Sequence, residues 1–266
     1  MLKDFTIANL LDLNETIAKD LFEGKTYPWE VLPEIGDFIL KLGQTLSEEE
    51  YDHPSEDVWI AKSAKVAPTA CINGPVIIGK EAEVRHCAFI RGKAIIGEGA
   101  VVGNSTELKN AVLFNKVQVP HYNYVGDAVL GYKSHMGAGS ICSNVKSDKK
   151  LVVVKDGDEK IETGLKKFGA MLGDNVEVGC GSVLNPGTVI GRCCNIYPLS
   201  SVEAAYLQIT FIKSKNRSCR KEKLITSFRN ISSARATLLR VRPLQYLVLV
   251  MLQFMQQKRL SSSVLK

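Results

Sequence analysis

The stretch Ile78-Gly-Lys-Glu-Ala-Glu-Val84-Arg-His-Cys-Ala-Phe-Ile90-Arg-Gly-Lys-Ala-Ile-Ile96-Gly-Glu-Gly-Ala-Val-Val102 decides the fold. An aliphatic residue recurs every six positions. The repeat extends back through Ile72 and Val66 to Ile60 and forward to Leu108. It slips at Leu113, Val119, Val125, Leu130 and Met136, where two steps are five, then resumes as Leu172, Val178, Leu184, Ile190, Ile196 and Val202. Gly often follows the aliphatic, as at Gly79, Gly97 and Gly103. A small residue often stands four positions after it, as at Ala64, Ala70, Ala82, Ala88, Ala94, Ala100 and Thr106.

An amphipathic helix would repeat at three and four, and a half-buried strand at two. A period of six suits a short strand plus a turn, stacked as a parallel coil with the aliphatic inside. One rung cannot bury its apolar side alone, so stacking creates the core. The small residues fit the corners, and Gly is expected there to supply turn dihedrals. The predicted fold is mainly β, a parallel β-helix over residues 58–202, with an inserted loop at about 141–168. Within the insertion, Leu151 to Val154, the turn Asp156-Gly157-Asp158 and Lys160 to Glu162 read as a short hairpin or an extruded loop.

Residues 1–57 read as a helical cap and linker. Asn14 is a candidate N-cap for a helix through Phe22, ended by Gly24. Trp29, Leu32, Ile35, Phe38, Ile39 and Leu42 have the spacing of a second amphipathic helix. The acidic stretch Ser47 to Asp57 reads as a linker. Both helices are expected to cover the open end of the coil, which otherwise exposes a sheet edge, in preference to a separate ligand-binding role.

Residues 203–266 break the pattern. Gln208, Ser214 and Arg220 stand where aliphatics belong, and all 21 Gly precede this segment. It carries 13 Lys+Arg against two Asp+Glu, or +11, leaving −5 for the rest of a chain whose formal charge is +6. The basic excess thus gives no reason to expect nucleic-acid binding by the repeat region. The tail reads either as a genuine basic extension or as the product of a reading-frame shift near codon 203. The loss of every repeat feature at one residue favours the second, and no further regular rungs are expected.

The polar start and the lack of a long apolar run predict no signal peptide and no membrane span. Seven Cys without a C-x-x-C pair read as reduced thiols in a cytoplasmic protein, with Cys71, Cys87 and Cys142 as small fillers.

Candidate chemistry lies where expensive polar groups interrupt the hexads. Arg91 follows Ile90, Glu107 and Lys109 flank Leu108, and His121, Asn123 and Tyr124 cluster. His135 precedes Met136-Gly-Ala-Gly139, and Asn144, Lys146, Lys149 and Lys150 open the insertion. With about 18 residues per coil, positions 91, 109 and 124–127 stack. Two cations and a phenol on one face suit a phosphorylated ligand.

Gly103-Asn-Ser-Thr-Glu107-Leu-Lys109, His121-Tyr-Asn-Tyr124-Val-Gly-Asp127, Gly137-Ala138-Gly139 and Asn144 resemble, in order and spacing, the acetyltransferase domain of bifunctional N-acetylglucosamine-1-phosphate uridyltransferases. They resemble still more closely a group of shorter sugar-phosphate nucleotidyltransferase-like proteins that keep only the left-handed β-helix. The resemblance implies a homotrimer with sites between subunits, acetyl-CoA as acyl donor, and glucosamine 1-phosphate as acceptor in UDP-N-acetylglucosamine biosynthesis. It puts His121 on the general base, Arg91 and Lys109 on phosphate contacts, and Tyr124 on a sugar-phosphate contact. Asn144 falls beside the reacting amine, Lys149 or Lys150 near another phosphate contact, and Ala138 and Cys180 on the acetyl-CoA path. His135 stands where the bifunctional enzymes have Asn, and Val145 where they have Tyr, which leaves the acceptor sugar open.

Other readings stand beside these. His121 also fits a satisfied histidine at a coil corner, and Arg91 and Lys109 fit solvated surface charges. His135 fits a second base, a substrate contact or a structural residue. A non-catalytic β-helix, a trimerising or regulatory subunit of a sugar nucleotidyltransferase, is the alternative function. No metal is expected. His86 and His121 are 35 apart, but a three-His zinc site would need a third near 126, which is Gly. Residues 1–57 hold no Gly-rich phosphate loop and are too short for a nucleotide-binding α/β fold.

Overall fold

The computed structural model describes residues 3–156, 158–203, 205–206 and 211–212. The chain divides after Asn216, and the unit Arg217–Lys266 lies outside the described residues.

The hexads build the expected left-handed parallel β-helix. Each coil has three short strands, one per face. Face one stacks Val58–Ala61, Val76–Ile78 and Ala94–Ile96, then the second halves of Glu107–Leu113 and Tyr124–Leu130, then Ala170–Leu172 and Thr188–Ile190. Face two runs from Lys65–Val66 to Asn195–Ile196. Face three runs from Cys71–Ile72 to Ser201–Val202, and includes the first halves of the two seven-residue strands. Ile78, Val84, Ile90, Ile96, Val102 and Leu108 fill the interior, each at most 1% exposed.

Glycine has a different job from the one expected. Gly79, Gly97, Gly103 and Gly173 do not carry the left-handed dihedrals. Those fall two residues later, on Glu81, Gly99, Ser105 and Asn175, with φ between 53° and 62°. A side chain after the aliphatic would instead strike the next coil: a Cβ at Gly103 would lie 1.6 Å from the Pro120 carbonyl oxygen, and one at Gly97 2.5 Å from the Phe114 carbonyl carbon. Close coil-to-coil approach, rather than turn geometry, selects Gly there.

The two five-residue steps both lie at the corner from face three to face one. There Glu107–Leu113 and Tyr124–Leu130 run through without interruption. Asn110 and Asp127 hold that tightened corner in the left-handed region, at φ 51° and 50°. Short polar side chains tolerate this conformation best among non-glycines.

The N-terminal segment departs from expectation. Residues 13–22 form two 3-10 turns, Leu13–Glu15 and Lys19–Phe22, not one helix, and Asp12 rather than Asn14 caps the first through the Asn14 N–H. The second amphipathic run splits into a 3-10 turn, Pro28–Val31, and an α-helix, Ile35–Gly43. Pro33, which has no N–H and restricts the residue before it, lies in the gap. The segment lies along face one rather than over the coil's end. Phe22 meets Phe114 edge-on at 5.7 Å, Trp29 meets Phe168 at 5.7 Å, and the Asp174 N–H donates to the Leu10 carbonyl at 3.0 Å. The edge of face one is paired instead by Tyr51–Ser55, which runs antiparallel to Val58–Ala61; the acidic linker thus contains a strand that covers that edge.

The insertion is the predicted hairpin, with Val153–Asp156 antiparallel to Glu159–Glu162. Beyond the boundary read at 202, the ladder carries two more strands. Ala205–Tyr206 pairs with Val189–Ile190, and Phe211–Ile212 with Asn195–Ile196. Their offset is 16 residues, so the hexad phase shifts by two: Tyr206 and Ile212 occupy the register that 208 and 214 were expected to hold. The rest of the tail reading falls outside the described residues.

Cys142 is buried as a filler, and burial pushes its thiol up to about 12. Cys71 and Cys87 are exposed, so the filler reading fails for them. Among the described residues no helix is long and apolar enough to cross a membrane.

Candidate active site on the open face

Face three and its two rims collect most of the residues singled out from the sequence. Tyr124 stands on the face, in register between Glu107 and Ile141. On the rim toward face one, Lys109 pairs with Gly126 in the next coil, and Arg91 follows Ile90, the partner of Leu108. On the rim toward face two stands His121.

Asp127 organises the first rim. It is 4% exposed and accepts from Lys109 Nζ at 3.0 Å to each oxygen, from Asn110 Nδ2 at 3.0 Å and from Asn144 Nδ2. Asn144 Nδ2 also donates to the Tyr124 hydroxyl at 3.1 Å. A buried carboxylate persists only when paired and hydrogen-bonded, and this one is both. Gly126 makes the arrangement possible, because a Cβ there would sit 2.4 Å from the Tyr124 hydroxyl. Burial, then the charge of Asp127, raises the Tyr124 pKa, so the phenol stays protonated through neutral pH. Arg91 donates to Glu107 at 2.7 Å, and this bond raises the pKa of its guanidinium. Both predicted phosphate-binding cations are therefore paired with carboxylates.

His121 is pinned through its backbone. Its N–H donates to Asn123 Oδ1 at 3.0 Å, and its carbonyl accepts from the Gly139 N–H at 3.0 Å. Asn123, 2% exposed, is held by the Gly137 and Ser140 carbonyls. The His121 ring is exposed, with no hydrogen-bond partner among the described residues. The other three histidines are engaged: His86 with Thr69 at 2.8 Å, His135 with Glu177 at 2.8 Å, and His53 stacked on Trp59. Ala138 and Cys180 follow His121 on successive coils of the same rim, as the Gly139 and Gly181 N–H bonds to His121 and Ala138 show.

Not every candidate gathers here. His135 starts a face-two strand between Gln118 and Glu177, at the opposite end of that face from His121. Lys149 and Lys150 are exposed on the insertion, and the Lys150 N–H donates to Asp148. His86 and His121 are separated by Asn104 on the intervening coil, so two strand spacings, roughly 9–10 Å, lie between their backbones. Among the described residues no group of three His, Cys, Asp or Glu is placed to hold a metal. The sequence reading assigned Asp127 and Asn110 no role. The signal was there, in a polar residue at each five-residue step.

Fold and site together define a hexapeptide-repeat left-handed β-helix protein with a polar site on one open face. Residues 72–189 match the family model described as the GMPPB C-terminal domain. The bifunctional protein GlmU of Methanococcus maripaludis is 31% identical over 206 residues, covering 77% of this chain and 49% of that protein. The bifunctional sugar-1-phosphate nucleotidylyltransferase/acetyltransferase of Sulfurisphaera tokodaii is 36% identical over 97 residues, 36% of this chain and 24% of that one. The chain thus spans a quarter to a half of the length of these relatives. A hexapeptide transferase family protein from Anaplasma phagocytophilum aligns with a TM-score of 0.32 at 18% identity, over 68% of this chain and 93% of that one.

Proposed function

We propose that the protein is an acetyl-CoA-dependent N-acetyltransferase acting on an amino-sugar phosphate, with glucosamine 1-phosphate as the preferred acceptor. The observation that carries this reading is the uncommitted His121 imidazole, held on the rim of a polar face while every other histidine has a partner. A neutral imidazole near pH 7 can take a proton from an amine as it attacks a thioester. The new bond joins nitrogen to the acetyl carbon, the carbon–sulfur bond breaks, and the thiolate leaves as CoA. Asn144 gives both amide hydrogens to Tyr124 and Asp127, which leaves its Oδ1 as an acceptor for the attacking amine. Ala138 and Cys180 continue the His121 rim as a track for the donor. Lys109, Arg91 and Tyr124 meet the sugar phosphate; Lys149 and Lys150 extend the basic surface, and His135 serves a neighbouring contact. A homotrimer in the cytoplasm, with sites between subunits, completes the reading.

Names of relatives support an acetyltransferase on sugar derivatives. The test is thiol release from acetyl-CoA with glucosamine 1-phosphate, glucosamine 6-phosphate and free glucosamine as acceptors. Release with the 1-phosphate and little with the others is expected. Equal rates would refute the phosphate contacts.

One observation favours a second reading. Arg91 and Lys109 are already neutralised by Glu107 and Asp127, which suits a structural face. On that reading the chain is a non-catalytic β-helix that trimerises or regulates a sugar-phosphate nucleotidyltransferase. Thiol release abolished by His121→Ala separates the two.

A further inference from the structure

The insertion leaves Asn144 and returns at Phe168, whose N–H donates to the Asn144 carbonyl at 3.0 Å. Its hairpin is seated firmly. Val152 and Val154 are fully buried, and the strand lies so close to Gly187 that a Cβ there would be 2.9 Å from Val152 Cγ1. Between hairpin and coil is a cavity of about 710 Å³, whose lining includes Lys146, Lys155, Lys160, Asn185, Asp148 and Glu203.

The charge pattern of the hairpin is unusual. Lys155 directly faces Lys160 across the strands, and Asp156 faces Glu159. Opposed like charges destabilise a strand pair. Residues facing each other share one side of a hairpin and their neighbours take the other. Both lysines, exposed, therefore point to the side of Val153 and its partner Glu162, and Val153 lines the cavity, whereas Asp156 and Glu159 point away. Lys146 is bound to Asp148 at 3.3 Å, whereas Lys155 and Lys160 have no ion-pair partner among the described residues. Two ammonium groups without an ion-pair partner on one wall offer an anion two charge-assisted hydrogen bonds.

We propose that this cavity is a phosphate-binding site, held by Lys155 and Lys160 and separate from the Lys109–Asp127 rim. It takes the phosphate of a phosphorylated small molecule. The Ser143 and Ser147 side chains on its lining add hydroxyl groups capable of hydrogen bonding. The inference stands on the cavity and the hairpin register, so it survives or fails independently of acetyl transfer.

Calorimetric titration of the full chain tests it with two probes, glucosamine 1-phosphate and adenosine 3′,5′-bisphosphate. In Lys155→Gln/Lys160→Gln, affinity for one probe is expected to fall about tenfold or more, as lost charge-assisted bonds require. Lys166→Gln/Lys167→Gln removes the same charge from exposed positions of the insertion outside the cavity, and should change affinity less than about twofold. The probe that loses affinity identifies the source of the phosphate, acceptor or donor. Equal losses in both double variants, unchanged binding in the first, or no binding of either probe to the unaltered chain would overturn the proposal.

Discussion

Face one and face three are made by the same repeat and lead opposite lives. On face one the residue just before each interior aliphatic is also apolar: Ile77, Ile95, Val112, Val129, Met171 and Val189 are at most 1% exposed. The N-terminal segment packs along the strands that carry Ile77, Ile95, Val112 and Val129. On face three the equivalent column reads Phe89, Glu107, Tyr124, Ile141 and Val183, and all are at least partly exposed. The interior is common to both, so only the outward column distinguishes the covered face from the open one.

The largest effect expected from breaking this contrast is at the rim of the open face. His121→Gln should lower the acetylation rate by about 10²- to 10⁴-fold, as loss of a general base does. Its melting temperature should barely move, because the His121 ring supports no packing. Stopped-flow thiol detection and calorimetry check the two halves.

On the covered face the effect should be on stability. Ile95→Ala should cost about 2–5 kcal/mol by denaturant unfolding, as for other fully buried isoleucines. The matching change on the open face, Val183→Ala on its outward column, should cost clearly less. Equal costs would mean that the N-terminal segment does not cover face one in solution.

Asp127 lies between the two faces and should show both effects. Asp127→Ala leaves Lys109, Asn110 and Asn144 without their common acceptor, at a cost of about 1–3 kcal/mol. It should also raise the KM for the sugar phosphate, as Lys109 and Asn144 lose their positions. Asp127→Asn keeps one acceptor and should recover part of each.

The smallest effect is a titration. Burial raises the Tyr124 pKa, so any stability it contributes is fully present below the unfolded value near 10 and is lost as pH rises through the higher folded value. An ultraviolet phenolate titration of Tyr124→Phe should lack a late-ionising group that the unaltered chain shows.

Much of this was legible before the structure. The six-residue period gave the coils, and Asp156-Gly157-Asp158 gave the hairpin turn. Coil length brings Arg91, Lys109 and Tyr124 to one neighbourhood, but Tyr124 stacks on Glu107, and Lys109 stacks on Gly126. Three things were hidden. The outward apolar column, with Ile77 and Ile95 beside Ile78 and Ile96, shares the period of the interior one, so the repeat alone does not mark face one as the surface that the N-terminal segment covers. The residues from Leu13 to Phe22 have helical spacing, but tertiary contacts such as Phe22 on Phe114 set their conformation. The pairing of Lys109 with Asp127 depends on a corner tightened by one residue, which spacing alone does not convert into a contact.

His121, on the rim of the open face, is proposed to perform proton transfer and to do nothing for the fold. The most direct test measures thiol release and thermal unfolding on the same preparations of the full chain and its His121→Ala variant, with acetyl-CoA and glucosamine 1-phosphate. Turnover in the first, its loss in the second, and coincident unfolding curves are expected. A folded, unaltered chain without turnover, or a variant that keeps its rate, would contradict it.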